Sequence, residues 1–478
     1  MNYAVRPGSA SGAAAAAPVR RRERSSLVSG AAIWLLICIM VIPPGCSYAA
    51  LGTTMPSEGS PTSMILWLTL LAFGVGVPLT RSAEALKLLR EINPFLLLYL
   101  ALAAASLMWS IDQPVTMRRL FRASTTVLVA VGFALMTWRT TRFQSVLRPI
   151  LTLILLGSIV FVIMEPELAI EQAEAQALVG AWHGLAMQKN GLGSLAAIGL
   201  ILWMHAWLSK EKPGMLAALG MAVSLICLAK SRSSSSIVAA VFSCLLMLML
   251  MRLPASMRRY LPYLIFLFVG TLLVYALAVL NLVPGSGLLL SPITALTGKD
   301  MTFSGRTNIW AIINENIAYH PLLGSGYGAY WVMLPGSPSM AMLGRLYFYP
   351  TESHNGYLDV INDLGYVGGA CLVGYVIAYL RQGIRLLFAL RPQGILLLTI
   401  LFEQLIANLT EARWFNVLTC EFTIMTIATV ALGRTMLDVR TQNLSAAMAP
   451  PHPAATSASS QRGQVPRRPG TLGPRRRL

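Results

Sequence analysis

The sequence predicts an all-α, polytopic membrane protein with about twelve transmembrane helices. Three observations predict it. First, only 12% of the 478 residues are charged and 55% are hydrophobic, with a mean hydropathy of +0.63, where a soluble domain carries about 25% charged residues. Second, apolar runs of about 20 residues recur along the chain, the length an α-helix needs to cross a bilayer. Third, Lys and Arg gather in short clusters between those runs and in both tails, as cytoplasmic loops do under the positive-inside rule. The net charge of +18 therefore reads as membrane topology and not as nucleic-acid binding.

Residues 1–26, rich in Ala, Ser, Gly and Arg, read as a disordered basic tail. Arg20-Arg21-Arg22-Glu23-Arg24, the apolar stretch Leu27 to Ile42 and then Pro43-Pro44-Gly45-Cys46 have the layout of a signal peptide. Two prolines before Gly45 speak against lipoprotein processing, so the stretch reads as an uncleaved first span. Further spans follow at about 62–79, 93–109, 121–138, 146–164, 191–208, 214–229, 235–251, 260–280, 356–380, 394–410 and 414–433. The membrane domain thus covers 27–434. The segment 440–478, rich in Pro, Ala and Ser and ending Pro474-Arg475-Arg476-Arg477-Leu478, reads as a second disordered tail. Of the six cysteines only Cys46 lies outside an apolar run, and no CxxC occurs, which supports neither a zinc site nor a disulfide framework.

With the amino terminus inside, 27 of the 37 Lys and Arg residues fall on the cytoplasmic side. Without the tails the margin narrows to 14 against 10. Both termini are then cytoplasmic, and two loops stand outside. One, from Glu165 to Lys189, carries Glu165, Glu167, Glu171 and Glu174, then Trp182-His183-Gly184 and Lys189-Asn190. The other, 281–355, is the longest segment between spans, and loops beyond about 15 residues are functional or disordered. Its tryptophans and tyrosines favour folding. Ile309, Ile312, Ile313 and Ile317 recur at helical spacing, which predicts a helix over roughly Gly305–Ala318 with Ser304 or Thr307 as cap.

No DxD, HExxH, GxSxG or GxxxxGK[ST] motif occurs, which removes support for metal-dependent nucleotide-sugar transfer, metalloproteolysis and ATP hydrolysis. What remains is a set of basic groups expected on the outer face. They lie in Phe303-Ser304-Gly305-Arg306-Thr307-Asn308-Ile309-Trp310, in Ser353-His354-Asn355-Gly356-Tyr357-Leu358 and in Lys230-Ser231-Arg232-Ser233. Arg232 at a span end is also what a lipid-phosphate anchor looks like. Arg306 opposes the dipole of the helix it starts, a conflict an anionic ligand would resolve. His354 suits either a loop hydrogen bond or proton transfer. The glycines of His320-Pro321-Leu322-Leu323-Gly324-Ser325-Gly326-Tyr327-Gly328 suit a tight turn better than a phosphate cradle.

In order and spacing, Trp182-His183-Gly184 with Lys189-Asn190, Ser231-Arg232-Ser233, Gly305-Arg306-Thr307 with Trp310, His320-Pro321-Leu322-Leu323-Gly324 with Gly326, His354-Asn355-Gly356-Tyr357-Leu358 and Asn408-Leu409-Thr410-Glu411 resemble the O-antigen ligase and polymerase superfamily (Wzy/WaaL-like). Within it the chain is most similar to exopolysaccharide polymerases of the ExoQ kind. The resemblance spans about 230 residues and leaves out both tails. It implies a GT-C-type glycosyltransferase fold in the bacterial inner membrane, with a periplasmic active site and neither metal nor cofactor. The implied partners are a polyprenyl-pyrophosphate-linked oligosaccharide, a glycan acceptor, membrane lipid and polysaccharide export proteins. The implied roles are pyrophosphate binding for Arg232 and Arg306 and general base for His354. Lys189, Asn190, His183, Asn355, Tyr357 and Glu411 become candidate donor or acceptor contacts. His183 stands where the family often has Arg.

Chemistry fits these roles. Guanidinium binds phosphate bidentately and keeps its charge, and two arginines can stand in for a divalent ion. A neutral imidazole takes a hydroxyl proton near pH 7, worth typically about 10²–10⁴ in rate. In-line attack would invert the anomeric centre. The expected activity is polymerisation of lipid-linked repeats of a surface polysaccharide. The alternatives are ligation of a finished glycan to lipid A core or protein, and transport of lipid-linked sugars. Transporters place ionisable groups near the bilayer midplane, and here Glu403 and Glu421 are the main charges within the spans.

Overall fold

Each of these apolar runs falls mostly on helix in a computed structural model, which describes residues 11–43, 48, 61–172, 179–279, 306–332, 337–346 and 350–448. In chain order the helices are α1 (Ser11–Val41), α2 (Pro61–Thr80), α3 (Ser82–Leu89), α4 (Pro94–Ala105), α5 (Gln113–Leu135), α6 (Arg142–Met164), α7 (Pro166–Ala169), α8 (Lys189–Leu208), α9 (Gly214–Lys230), α10 (Ser234–Arg252), α11 (Leu261–Val279), α12 (Arg306–Tyr319), α13 (Ala341–Leu346), α14 (Gly356–Ala389), α15 (Arg391–Ala407) and α16 (Cys420–Met448). The described residues up to Val439 form one compact unit, and most of the predicted carboxyl-terminal tail, from residue 449, lies outside the described residues.

By length and composition, α2, α6, α8, α10, α14 and α16 can each cross a membrane, and α3 with α4, bent by 98°, makes a seventh span if taken as one. The protein is an all-α polytopic membrane protein. Twelve spans exceed what length and composition support among the described residues: α9 and α15 are short, and α5 carries Arg118, Arg119 and Arg122 in its first half. Several helices start where their sequences supply caps. Asn93 accepts from Phe95 N ahead of α4, Asp112 from Val115 N ahead of α5, and Ser233 from Ser236 N ahead of α10.

Two ends differ from expectation. α1 begins at Ser11, inside the tail read as disordered, because Ala13–Ala17 is a run of the strongest helix former. α16 starts at Cys420 and runs to Met448, and residues 408–419 before it are not helical. The cap proposed at Ser304 and the expected helix start at Gly305 lie outside the described residues, as does Cys46. Thr307 lies inside α12 and does not precede it.

Lipid gives membrane helices little hydrophobic drive to associate, so small residues set their packing. α8 and α9 lie close together. A Cβ on Gly220 would stand 2.2 Å from the Trp203 ring, and one on Gly199 would stand 3.0 Å from Ser224 Oγ. At the end of the bundle where α6 and α15 begin and α8 ends, Arg148 Nη2 donates to Glu211 Oε2 (2.8 Å), His205 Nε2 to Pro392 O (3.0 Å), and Gln144 Nε2 to Gln393 Oε1 (3.0 Å).

α14 is broken at Leu364–Gly365, where Gly365 takes φ +65°. The break leaves backbone groups of α14 unpaired within the helix, and the glycine-rich segment binds them. Ser325 N and Gly326 N donate to Asn362 O and Asp363 O, and Tyr366 N donates to Pro321 O. A Cβ on Gly365 would meet the Leu322 backbone at 2.2 Å, and one on Gly324 the Asp363 backbone at 2.5 Å. The glycines thus let two backbones touch and anchor the long loop to the bundle.

Candidate active site at one end of the bundle

α8, α14 and α16 begin, and α15 ends, at the same end of the bundle. Here the loop 408–419 folds back between helices. Its organiser is Asn408, whose Oδ1 accepts from Arg413 N (2.9 Å) and Trp414 N (2.7 Å) and whose Nδ2 donates to Gln404 O (2.8 Å). Gly356 N, the first amide of α14, donates to both Asn408 O and Glu411 O (2.9 Å each). Buried irregular backbone is tolerated in a membrane protein when paired in this way. Arg413 lies buried between Glu403 (3.8 Å) and Glu421 (3.6 Å) and also donates to Ser194. It supplies the partner that the sequence did not show for those two carboxylates.

Glu411, 4% exposed, is the centre of the site. Its Oε1 accepts from Asn190 Nδ2 (2.8 Å) and from Arg306 Nη2 (3.2 Å). Its Oε2 stands 3.8 Å from His354 Nδ1, and Glu352 Oε1 stands 3.0 Å from the same nitrogen. Nδ1 is buried between the two carboxylates without a well-aligned hydrogen bond. Three chain segments, those of Asn190, Arg306 and His354, therefore converge on the Glu411 carboxylate. Arg306 opposes the dipole of α12, and Glu411 is the anion that answers it.

The elements that hold these groups are fixed locally. The four isoleucines that predict α12 are buried, and they cluster with Trp310, Tyr330, Met342 and Leu358. Trp310 Nε1 donates to Ser353 O (2.9 Å), which ties the arginine's helix to the histidine's turn. Ser353 Oγ donates to Asn355 O (2.7 Å) and accepts from Asn355 N (3.0 Å). Asn355 Oδ1 caps α14 by accepting from Tyr357 N and Leu358 N (3.1 Å each). His354 is held at φ +55°, a left-handed conformation that costs a residue with a Cβ about 1–2 kcal/mol and collects at functional sites.

Charge follows geometry. Burial alone disfavours an imidazolium, but Glu352 and Glu411 outweigh it and push His354 up to about 10. Burial would likewise raise Glu411, yet His354, Arg413 and Arg306 hold it below the usual carboxylate range. Burial keeps Glu352 above that range in spite of His354. The site at rest thus favours an imidazolium, where the sequence led to a neutral imidazole. The ligand atoms of Glu352, His354 and Glu411 lie within 4.8 Å of one another, a spacing a divalent ion accepts. However, Arg306 and Asn190 already donate to Glu411, and His354 faces both carboxylates as a cation. The donor set is used as an ion-pair network.

The remaining residues fall as follows. Asn355 is the cap of α14, and Tyr357 donates through Oη to Leu405 O (2.8 Å). His183 is buried, with Nδ1 against Ala186 O (3.0 Å) and Gly184 O (3.2 Å), and it stabilises its own loop. Lys189 is half-buried at the first position of α8, beside Asn190. Arg232 is exposed, has φ +50°, and donates through Nη1 to Val179 O (2.8 Å). The contacts that join Arg306, His354 and Asn190 through Glu411 do not include it. Glu352 was missed, although its place two residues before His354 was a readable signal. A cleft of about 70 Å³, partly open to solvent, lies beside the cluster, with Asn190, Glu352, Glu411, Arg413 and Glu421 in its wall.

Two comparisons with known proteins bear on this site. Residues 219–373 match the family model described as O-antigen ligase; this segment contains Arg232, Arg306, Glu352 and His354, while Asn190 and Glu411 lie outside it. The chain is also 28% identical over 195 residues to the exopolysaccharide production protein ExoQ of Rhizobium meliloti. That alignment covers 39% of this chain and 42% of the relative, so the chain spans less than half the length of the curated protein it matches. Residues 219–373 are thus similar to an O-antigen ligase domain, and part of the chain is similar to an exopolysaccharide production protein.

Proposed function

We propose that the protein is a polymerase of a bacterial surface polysaccharide. In this reading it transfers glycan from a polyprenyl-diphosphate carrier to a sugar hydroxyl at the periplasmic face of the inner membrane. The observation that carries the reading is the convergence of Arg306, Asn190 and His354 on buried Glu411. A cation held by a carboxylate beside an imidazole is suited to receive a diphosphate and to move a proton. The incoming diphosphate competes with Glu411 for the Arg306 guanidinium, which binds phosphate bidentately. Arg232, exposed near the matched motif, is assigned the second phosphate contact.

The acceptor oxygen attacks the anomeric carbon in line with the leaving group. The new C–O bond forms as the bond to the diphosphate oxygen breaks, and that oxygen keeps the electron pair. His354, once it has released a ring proton to solvent and become the neutral imidazole, takes the hydroxyl proton. Charge on the leaving group is held by arginine, so the scheme needs no metal, and the single in-line displacement inverts the anomeric centre. The competing reading is a single ligation, which the family description favours. Purified full-length protein given labelled lipid-linked repeat units tests the two. Polymerisation yields a ladder, ligation yields one shifted band on an added acceptor, and movement of the lipid between leaflets without any glycosidic bond refutes both.

A further inference from the structure

We propose that Glu352 is a positioning residue for His354: its carboxylate fixes a proton on Nδ1 and so presents Nε2 as the atom that takes the acceptor's proton. The proposal rests on the reading of His354 as the base, and nothing in the family match or the relative's name assigns Glu352 a role.

The geometry is local and constrained. Glu352 Oε1 lies 3.0 Å from Nδ1, closer than Glu411 Oε2 at 3.8 Å. Arg306 and Asn190 both engage Glu411 Oε1, and its free Oε2 stands farther from the ring than Glu352 does, so Glu352 is the nearer carboxylate at Nδ1. Its side chain is 12% exposed and the imidazole 28%. Both sit on the turn that buried Ser353 and the Asn355 cap hold, and Trp310 anchors that turn to α12. A carboxylate at Nδ1 selects the tautomer whose lone pair is on Nε2 and raises the basicity of that nitrogen. The charged groups around the ring are Glu352 and Glu411, with Arg306 across Glu411 and Arg413 acting on both carboxylates. In the transfer step the acceptor's proton moves to Nε2, and the Nδ1 proton stays beside Glu352. The ring then carries one positive charge against that carboxylate.

The test is the initial rate of glycan transfer by full-length protein in lipid nanodiscs, across pH 6–10, with lipid-linked repeat units extracted from the producing bacterium. Wild type, Glu352→Ala, Glu352→Gln, Glu352→Asp and His354→Ala are compared. Glu352→Ala is expected to lower kcat by about tenfold, within the range of proton-transfer contributions, with little change in KM. Glu352→Gln keeps the shape and removes the charge. It is expected to move the acidic limb of the pH profile to lower pH by about half a unit or more. Glu352→Asp should restore part of the rate. In a His354→Ala background, Glu352→Ala should cost nothing further. An active wild type with an unshifted limb in Glu352→Gln overturns the proposal and leaves the function standing. A wild type that forms no glycosidic bond overturns the function instead. If Glu352→Ala fails to fold, the Glu352→Gln profile decides.

Discussion

The contact between Arg306 and Glu411 makes a quantitative prediction. Glu411 is 4% exposed and Arg306 22%, with 3.2 Å between Nη2 and Oε1. Removing one partner of a fully buried pair costs about 3–5 kcal/mol. Arg306 keeps some access to water, so Arg306→Ala should cost about 2 kcal/mol, below that range. Glu411→Ala should cost more, because it also strips the acceptor from Asn190 Nδ2, and an orphaned buried donor adds about 1–3 kcal/mol. Once Glu411 is gone, the further loss of Arg306 removes little. The double variant should therefore resemble Glu411→Ala, with a coupling of about 1–2 kcal/mol. The assay is thermal unfolding of the purified protein in one detergent, read by intrinsic tryptophan fluorescence, for wild type, both single variants and the double. Glu411→Gln adds a control, since it keeps an acceptor for Asn190 and should fall between wild type and Glu411→Ala. Shifts that simply add, within the roughly 0.5 kcal/mol expected of independent sites, would refute the idea that Glu411 holds Arg306.

Three further outcomes are expected. Gly365→Ala should destabilise by more than about 1 kcal/mol, because φ is +65° and a Cβ would meet the Leu322 backbone at 2.2 Å; Gly76→Ala, with nothing within 4 Å, should not destabilise. The transfer rate should climb with pH well beyond the ordinary imidazole range: Glu352 and Glu411 hold His354 up to about 10 against the effect of burial, so the basic form appears only as pH rises. A rate that falls on the alkaline side would make imidazolium the active form. Treatment with EDTA should leave the rate within about twofold, since Arg306 supplies the charge a metal would; a loss reversed by added Mg²⁺ or Mn²⁺ would contradict this.

Much of the architecture was legible because it is written in local periodicity. Runs such as 62–79, 191–208 and 235–251 became Pro61–Thr80, Lys189–Leu208 and Ser234–Arg252. Four isoleucines at helical spacing predicted α12 to within a residue or two. Two of the failures have a common cause in non-local pairing. The span expected from 414 starts at Cys420, because Asn408 and buried Arg413 organise 408–419 as irregular loop. The kink in α14 was invisible because its backbone partners come from Pro321–Gly326, some forty residues earlier.

The site shows the same division. Arg306, His354, Asn190 and Glu411 were singled out from motifs, but nothing local indicates that one carboxylate joins them across segments as far apart as Asn190 and Glu411. His183 is a further case. A histidine in a motif suggested ligand contact, and the structure places its Nδ1 against carbonyls one and three residues away, which nothing local in the sequence showed.

Single-turnover transfer from one labelled lipid-linked repeat unit to a second tests the central claim most directly, with wild type and His354→Ala compared at equal membrane insertion and equal thermal stability. The glycan-transfer reading predicts a dimeric lipid-linked product from wild type and a rate lower by about 10² or more in His354→Ala. An unchanged rate in that variant, with the protein folded, would place the chemistry elsewhere in the molecule.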